Sequence, residues 1–87
     1  RYAILVSLSL GPNELSLAPV HRLIKKAGAA RASEEAAEAL RQILEELGLA
    51  IAREAYSLAQ YAGRRTVRRE DIERAARTLL RGYYSSR

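Results

Sequence analysis

Between Ser33 and Gly63 the apolar residues recur at Leu40, Leu44, Leu47, Ile51, Ala55, Leu58 and Ala62, at spacings of four, three, four, four, three and four. That is the period of one face of an α-helix, not the alternation of a strand. No proline interrupts the stretch, and Gly48 is its one internal glycine. Ser33 suits an N-cap, Glu34 and Glu35 put negative charge where the helix dipole favours it, and Gly63 suits a terminator. The pattern predicts one helix of about 43 Å at about 1.5 Å per residue.

Shorter elements flank it. Residues 16–27 predict a first helix, with Ser16 able to cap it and Pro19 in the first turn, where a missing N–H costs nothing. Leu17, Val20, Leu23, Ile24 and Ala27 make its apolar face, and His21, Arg22, Lys25 and Lys26 its other side. Gly28 ends it, and residues 29–32 link it to the Ser33 cap with Arg31 displayed on the way. Residues 63–69, GRRTVRR, form a basic loop in which Thr66 and Val67 suit a brief extended segment. A third helix is predicted from about Arg69 to Arg81, burying Ile72, Ala75, Ala76, Leu79 and Leu80, with Gly82 as its stop. The chain reads as all-α, with an apolar extension at 1–13, a helical domain at 14–82 and a polar, aromatic tail at 83–87.

Tyr2 to Leu10, YAILVSLSL, is β-prone and breaks at the turn signal Gly11-Pro12-Asn13. Nine residues are too few for a membrane-spanning helix, which takes about 20. The end of a signal or membrane segment is one reading; a strand or tail packed on a partner surface is the expected one, since left exposed it invites aggregation. Arg1 has no preceding methionine, so the chain is expected to be a fragment or processed.

An 87-residue chain without Cys, Trp, Phe or Met must build its core from Leu, Ile, Val, Ala and a few Tyr, with neither disulfides nor thiolate metal sites. A long apolar stripe with so little to cover it calls for a partner chain, most simply a second copy. The net charge is +5 and almost every basic residue is arginine, which forks onto phosphates and enters minor grooves. An acidic polymer is therefore the natural partner, although the arginine-to-lysine ratio taken alone can equally reflect base composition. The lone His21 has no cysteine or carboxylate set for a metal site and no serine arrangement for a nucleophile. The glutamates at 34, 35, 38, 45 and 46 read as a solvated helix face. No Gly-rich phosphate loop or paired-carboxylate site is present. Neither an enzyme nor a bound metal or cofactor is expected.

From Glu14 to Leu80 the chain resembles the archaeal histones without a gap. ELSLAPVHRLIKKAGA resembles the family's first helix and loop, SEEAAEALRQILEELGLAIAREA its long middle helix, and AGRRTVRREDI its second loop and third-helix start. The resemblance implies the histone fold, short helix, long central helix and short helix, clasped with a second chain in a head-to-tail handshake dimer. The dimer core would then be Leu40, Leu44, Leu47, Gly48, Ile51 and Leu58, with Gly48 midway between Glu34 and Ala62 near the crossing of the two long helices. A mid-helix glycine costs about 1 kcal/mol relative to alanine, which close helix approach can offset.

The family bends double-stranded DNA around its outer surface with little regard to sequence, through phosphate neutralisation, helix N-termini and minor-groove arginines. By position, Arg22 resembles the minor-groove arginine, and Arg31, Arg65 and Thr66 the phosphate-contacting set at each end of the dimer, with Lys25 as an addition. Arg64 and Asp71 match an intrachain clamp that fixes the second loop, so Arg64 is structural first and DNA-binding second. Gly28 matches the small residue that lets successive turns of a filament stack. The contact that joins dimers departs from the pattern. It reads Leu58, Tyr61, Asp71 and Arg74, with tyrosine for histidine and a charge for an apolar residue. Two copies of Arg74 facing each other repel unless each finds a carboxylate at Glu70, Asp71 or Glu73.

The implied function is DNA compaction by a homodimer that extends to tetramers or filaments, in the cytoplasm on the chromosome. The alternatives are a histone-fold subunit of a transcription-factor-like heterodimer with a dedicated heteropartner, and a capping histone that limits filament growth. A pure protein-interaction module has no need of the loop arginines.

Overall fold

A computed structural model describes residues 14–85, so expectations for residues 1–13 and for 86–87 lie outside it. Four helices follow one another: α1 (Leu17–Lys26), α2 (Glu34–Tyr61), α3 (Arg69–Leu79) and α4 (Arg81–Ser85). The chain divides into two compact units, Arg1–Leu47 and Gly48–Arg87, with the 28-residue α2 contributing to both.

In the first unit α1 begins after Ser16, whose backbone is extended but whose hydroxyl makes no capping bond, contrary to expectation. The reason is Pro19. An N-cap side chain accepts from the second or third helical N–H, and Pro19 occupies the third position without one. Glu45 takes over the task of satisfying nearby amides. Its Oε2 accepts from the backbone N–H groups of Glu14 and Leu15, both at 2.7 Å. Glu45 is 7% exposed and therefore not part of a solvated face, which corrects the sequence reading. At the other end of α1 the Gly28 N–H donates to the Lys25 carbonyl at 2.9 Å, and the φ of Gly28 is 121°. Among the described residues of this unit Val20 and Ala37 are the buried apolar ones, whereas Leu23 is exposed and His21 half-buried.

The start of α2 follows the sequence signals. Ser33 Oγ accepts the Ala36 N–H at 3.1 Å, and Glu34 and Glu35 occupy the first turn. Its end, in the second unit, is a complete Schellman motif. Gly63 at φ 77° donates to the Gln60 carbonyl, and Arg64 donates back to the Ala59 carbonyl, both at 2.9 Å. A residue with a Cβ would be strained at that φ.

The third helix departs from the predicted span. It breaks at Leu80 (φ −110°, ψ 38°), and a new turn, Arg81–Ser85, runs straight through Gly82. Gly82 is therefore not the stop, and Tyr83 to Ser85 are helical. Of the five positions expected to be buried on the third helix only Ala75 is; Ile72 and Leu79 are exposed, and Ala76 and Leu80 are half-buried. Thr66 and Val67 form no strand, and no strand occurs among the described residues.

The apolar core among the described residues is Val20, Ala37, Ala55, Ala59 and Ala75. No large side chain among them is fully buried. Leu40, Leu44, Leu47, Ile51 and Leu58 are all half-buried, and Gly48 is exposed, with nothing within 4 Å of where a Cβ would stand. The larger apolar side chains of α2 are thus only half covered by the chain itself.

Candidate nucleic-acid interface

The second loop is the best-defined part of the surface. Arg64 Nη1 donates to Asp71 Oδ2 at 2.8 Å and Nη2 to Oδ1 at 3.0 Å, a two-pronged charge-assisted pair. Nη1 also donates to the Thr66 carbonyl at 3.1 Å, so one guanidinium grips both the loop and the helix that follows it. Asp71 is the third residue of α3 and reaches back to the Arg68 N–H at 2.8 Å. This is half of a capping box, because the Arg68 side chain offers no acceptor in return.

The Asp71 carboxylate is 4% exposed and has both oxygens engaged. The hydrogen bond from Arg64, then that from the Arg68 amide, holds its pKa down to about 2, against the opposing pull of burial. The same bond raises the pKa of Arg64 above its ordinary value.

With Arg64 committed inward, Arg65 and Thr66 are left exposed. Beside them is an open hollow of about 590 Å³ lined by Tyr56, Gln60, Gly63, Arg64 and Arg65. In the first unit Arg22 and Lys25 are exposed on α1 at the edge of an open groove of about 950 Å³, whose apolar wall includes Leu15, Pro19, Val20, Leu23 and Leu44. Arg31 is exposed on the link between α1 and α2. Arg22, Lys25 and Arg31 thus belong to one unit, and Arg64, Arg65 and Thr66 to the other.

Charge is divided unequally between the units. Gly48–Arg87 carries nine arginines against Glu54, Glu70, Asp71 and Glu73, which is the whole net charge of +5. In Arg1–Leu47 six basic residues meet six glutamates, and the balance is zero. The α3 carboxylates are also already occupied. Asp71 holds Arg64, Glu73 accepts from Arg69 Nε at 2.9 Å, and Glu70 lies 3.9 Å from Arg68 Nη1. Arg74 is exposed with no ion pair among the described residues, and Tyr61 is 96% exposed.

Two groups escaped the sequence pattern. Glu45 looks no different from Glu46 beside it, because its partners are main-chain amides 31 and 30 positions away. The stacking of Arg77 on Tyr84 depends on the break at Leu80, which no glycine or proline marks. No helix among the described residues is long and apolar enough to cross a membrane. No cluster of three or more metal-ligating side chains occurs among them.

The long helix between two short ones, with its capped ends and the clamped loop, has the element order of the histone fold. The chain belongs to the family described as histone-like transcription factor (CBF/NF-Y) and archaeal histone, which it matches over residues 13–76. It is 48% identical over 64 residues to an archaeal histone HAN1 subunit of Thermococcus zilligii, covering 74% of this chain and 96% of that protein. The same identity and coverage relate it to probable archaeal histone 3 of Methanocaldococcus jannaschii.

Proposed function

We propose that this chain is a sequence-nonspecific architectural histone. In this reading two copies clasp head to tail through Leu40, Leu44, Leu47, Gly48, Ile51 and Leu58, and the dimer bends, wraps and compacts duplex DNA on the chromosome. The observation that carries it is the Arg64–Asp71 clamp, which commits one arginine to the fold and leaves Arg65 and Thr66 exposed on a fixed loop. Arg65 and Thr66 then hold phosphates, Arg31 does the same from the first loop, and Arg22 with Lys25 addresses the minor groove between them. Head-to-tail pairing puts the first loop of one copy beside the second loop of the other, so neutral and basic units alternate. The half-buried leucine stripe supports pairing because a single chain leaves it uncovered.

A specific observation favours a second assembly for the same DNA-binding dimer. Of the three carboxylates that could neutralise Arg74, Asp71 is sealed in the clamp, and Glu73 and Glu70 already lie in surface pairs with Arg69 and Arg68. A symmetric contact between the ends of two dimers then brings like charges together without compensation. On this reading dimers stop short of filaments, and a heteropartner or a capping role takes the place of stacking on Gly28. The Thermococcus zilligii relative is itself, by its name, one of the subunits of a larger protein.

Micrococcal nuclease digestion of protein–DNA mixtures tests both parts. A single short protected length is expected. A ladder of lengths shows dimers joining after all, and no protection overturns the DNA-packaging reading. The mass of the purified protein in solution separates a homodimer from a chain that needs a heteropartner.

A further inference from the structure

We infer that α3 and α4 carry a second contact surface for the phosphate backbone of duplex DNA, centred on Arg77 and Arg81 and backed by Tyr84, distinct from the loop site. The inference rests on the DNA-binding reading above and adds a place where the duplex is held.

Arg74, Arg77 and Arg81 recur at spacings of three and four and are all exposed. None has an ion pair among the described residues, whereas the arginines nearer the loop, at 64, 68 and 69, each have one. The patch thus gathers three of the basic unit's arginines that have no ion pair among the described residues, Arg53 and Arg65 being the others. Uncompensated arginines at helical spacing attract a polyanion.

The break at Leu80 turns this charge run into a shaped surface. In the new turn that starts there the Tyr84 ring comes near Arg77, whose Cζ is 5.9 Å from the ring centroid. Tyr83 meets Tyr84 edge to face, with centroids 5.4 Å apart and planes at 78°. An arginine held beside an aromatic ring can still present its N–H edge, and that edge is what forks onto a phosphate. Arg77 donates no hydrogen bond among the described residues, so the edge is available. An arginine fork suits phosphate and carboxylate alike, and phosphate is the choice here because the reading above already places a duplex on this protein.

The test is fluorescence anisotropy of a labelled duplex over a series of salt concentrations. Wild-type protein is compared with R77Q/R81Q, Y84L, the loop variant R65Q, and R53Q as an exposed arginine elsewhere. In R77Q/R81Q the slope of log affinity against log salt should fall by about one for each arginine removed. Y84L should keep the slope and lose about two- to five-fold in affinity, the worth of an exposed cation–π contact. A slope unchanged in R77Q/R81Q but reduced in R65Q overturns the second surface and leaves the loop reading intact. An equal loss per charge in R53Q also overturns it, because net charge alone then explains the effect. So does loss of binding to polyglutamate in R77Q/R81Q with DNA binding untouched, which would assign the patch to an acidic protein. Wild-type protein that fails to bind the duplex removes the DNA reading and this inference with it.

Discussion

Arg64 and Asp71 are joined by two parallel hydrogen bonds of 2.8 and 3.0 Å across seven residues of sequence, and the loop between them is shaped by that pair. The guanidinium also holds the Thr66 carbonyl, and the carboxylate the Arg68 amide, so four points of the loop meet at one ion pair. Asp71→Ala should therefore lower the melting temperature and the DNA affinity together. The loop loses its frame at the same moment that Arg64 and the Arg68 amide lose their acceptor. Thermal unfolding followed by circular dichroism and a binding isotherm on the same preparation check this. Both quantities unchanged would refute the clamp.

The same pair fixes an acid limit. Asp71 is held near a pKa of about 2 in the fold, below the ordinary value of 3.8 that applies once the chain unfolds. Below that ordinary value the unfolded chain binds a proton that the folded chain does not, so unfolding gains. The stabilisation is complete above pH of about 4 and is lost as pH falls toward 2. Wild-type melting temperatures should drop through that window, and Asp71→Asn should show a lower, flatter profile there.

Glu45 is a structural acceptor. With Oε2 taking two amides at 2.7 Å, Glu45→Ala leaves both N–H groups without a partner, at about 1–3 kcal/mol for each that stays buried. Glu45→Gln keeps an acceptor oxygen and should lose less. Chemical denaturation measures the difference, and amide exchange at Glu14 and Leu15 should speed up in the alanine variant ahead of that in α1.

The two capped ends of α2 were legible because serine, acidic first-turn residues and glycine act locally, within four residues of the helix end. Ser16 fails as a cap for an equally local reason, the proline three positions on, which the sequence displays but the cap signal alone does not weigh. Glu45, Leu80 and the Arg77–Tyr84 stack depend on contacts or backbone turns that no periodicity encodes. The Arg64–Asp71 clamp could be picked out by resemblance because its loop is short and the two residues sit at fixed spacing, and the assignment of the loop residues beside it to DNA rests on that resemblance.

Gly48 lies in the middle of α2 with open space around its missing Cβ, so no contact within the described residues requires glycine there. Helix propensity alone favours alanine by about 1 kcal/mol. If two long helices cross at this point, a bulky side chain separates them. Gly48→Leu should keep helical content at high protein concentration while weakening the dimer, read as a concentration-dependent mass by light scattering or sedimentation. A dimer as tight as wild type would place the crossing elsewhere.

In the proposed reading Arg74 sets how far assembly goes. Its neighbours Glu70, Asp71 and Glu73 are engaged by other arginines, and Tyr61 stands 96% exposed while the Asp71 carboxylate is sealed in the clamp. Replacing the charge with an apolar residue removes the repulsion and adds surface to bury, at about 25 cal/mol per Å². Arg74→Leu should therefore shift the mass in solution from dimer toward tetramer and turn a single nuclease-protected length into a ladder. Arg74→Glu tests the same contact from the opposite side. Mixed with wild-type protein it should form tetramers that neither forms alone, since each arginine then meets a free carboxylate across the contact. If the mixture stays dimeric while Arg74→Leu also does, Arg74 is not in the contact between dimers, and the limit on assembly lies elsewhere on the surface.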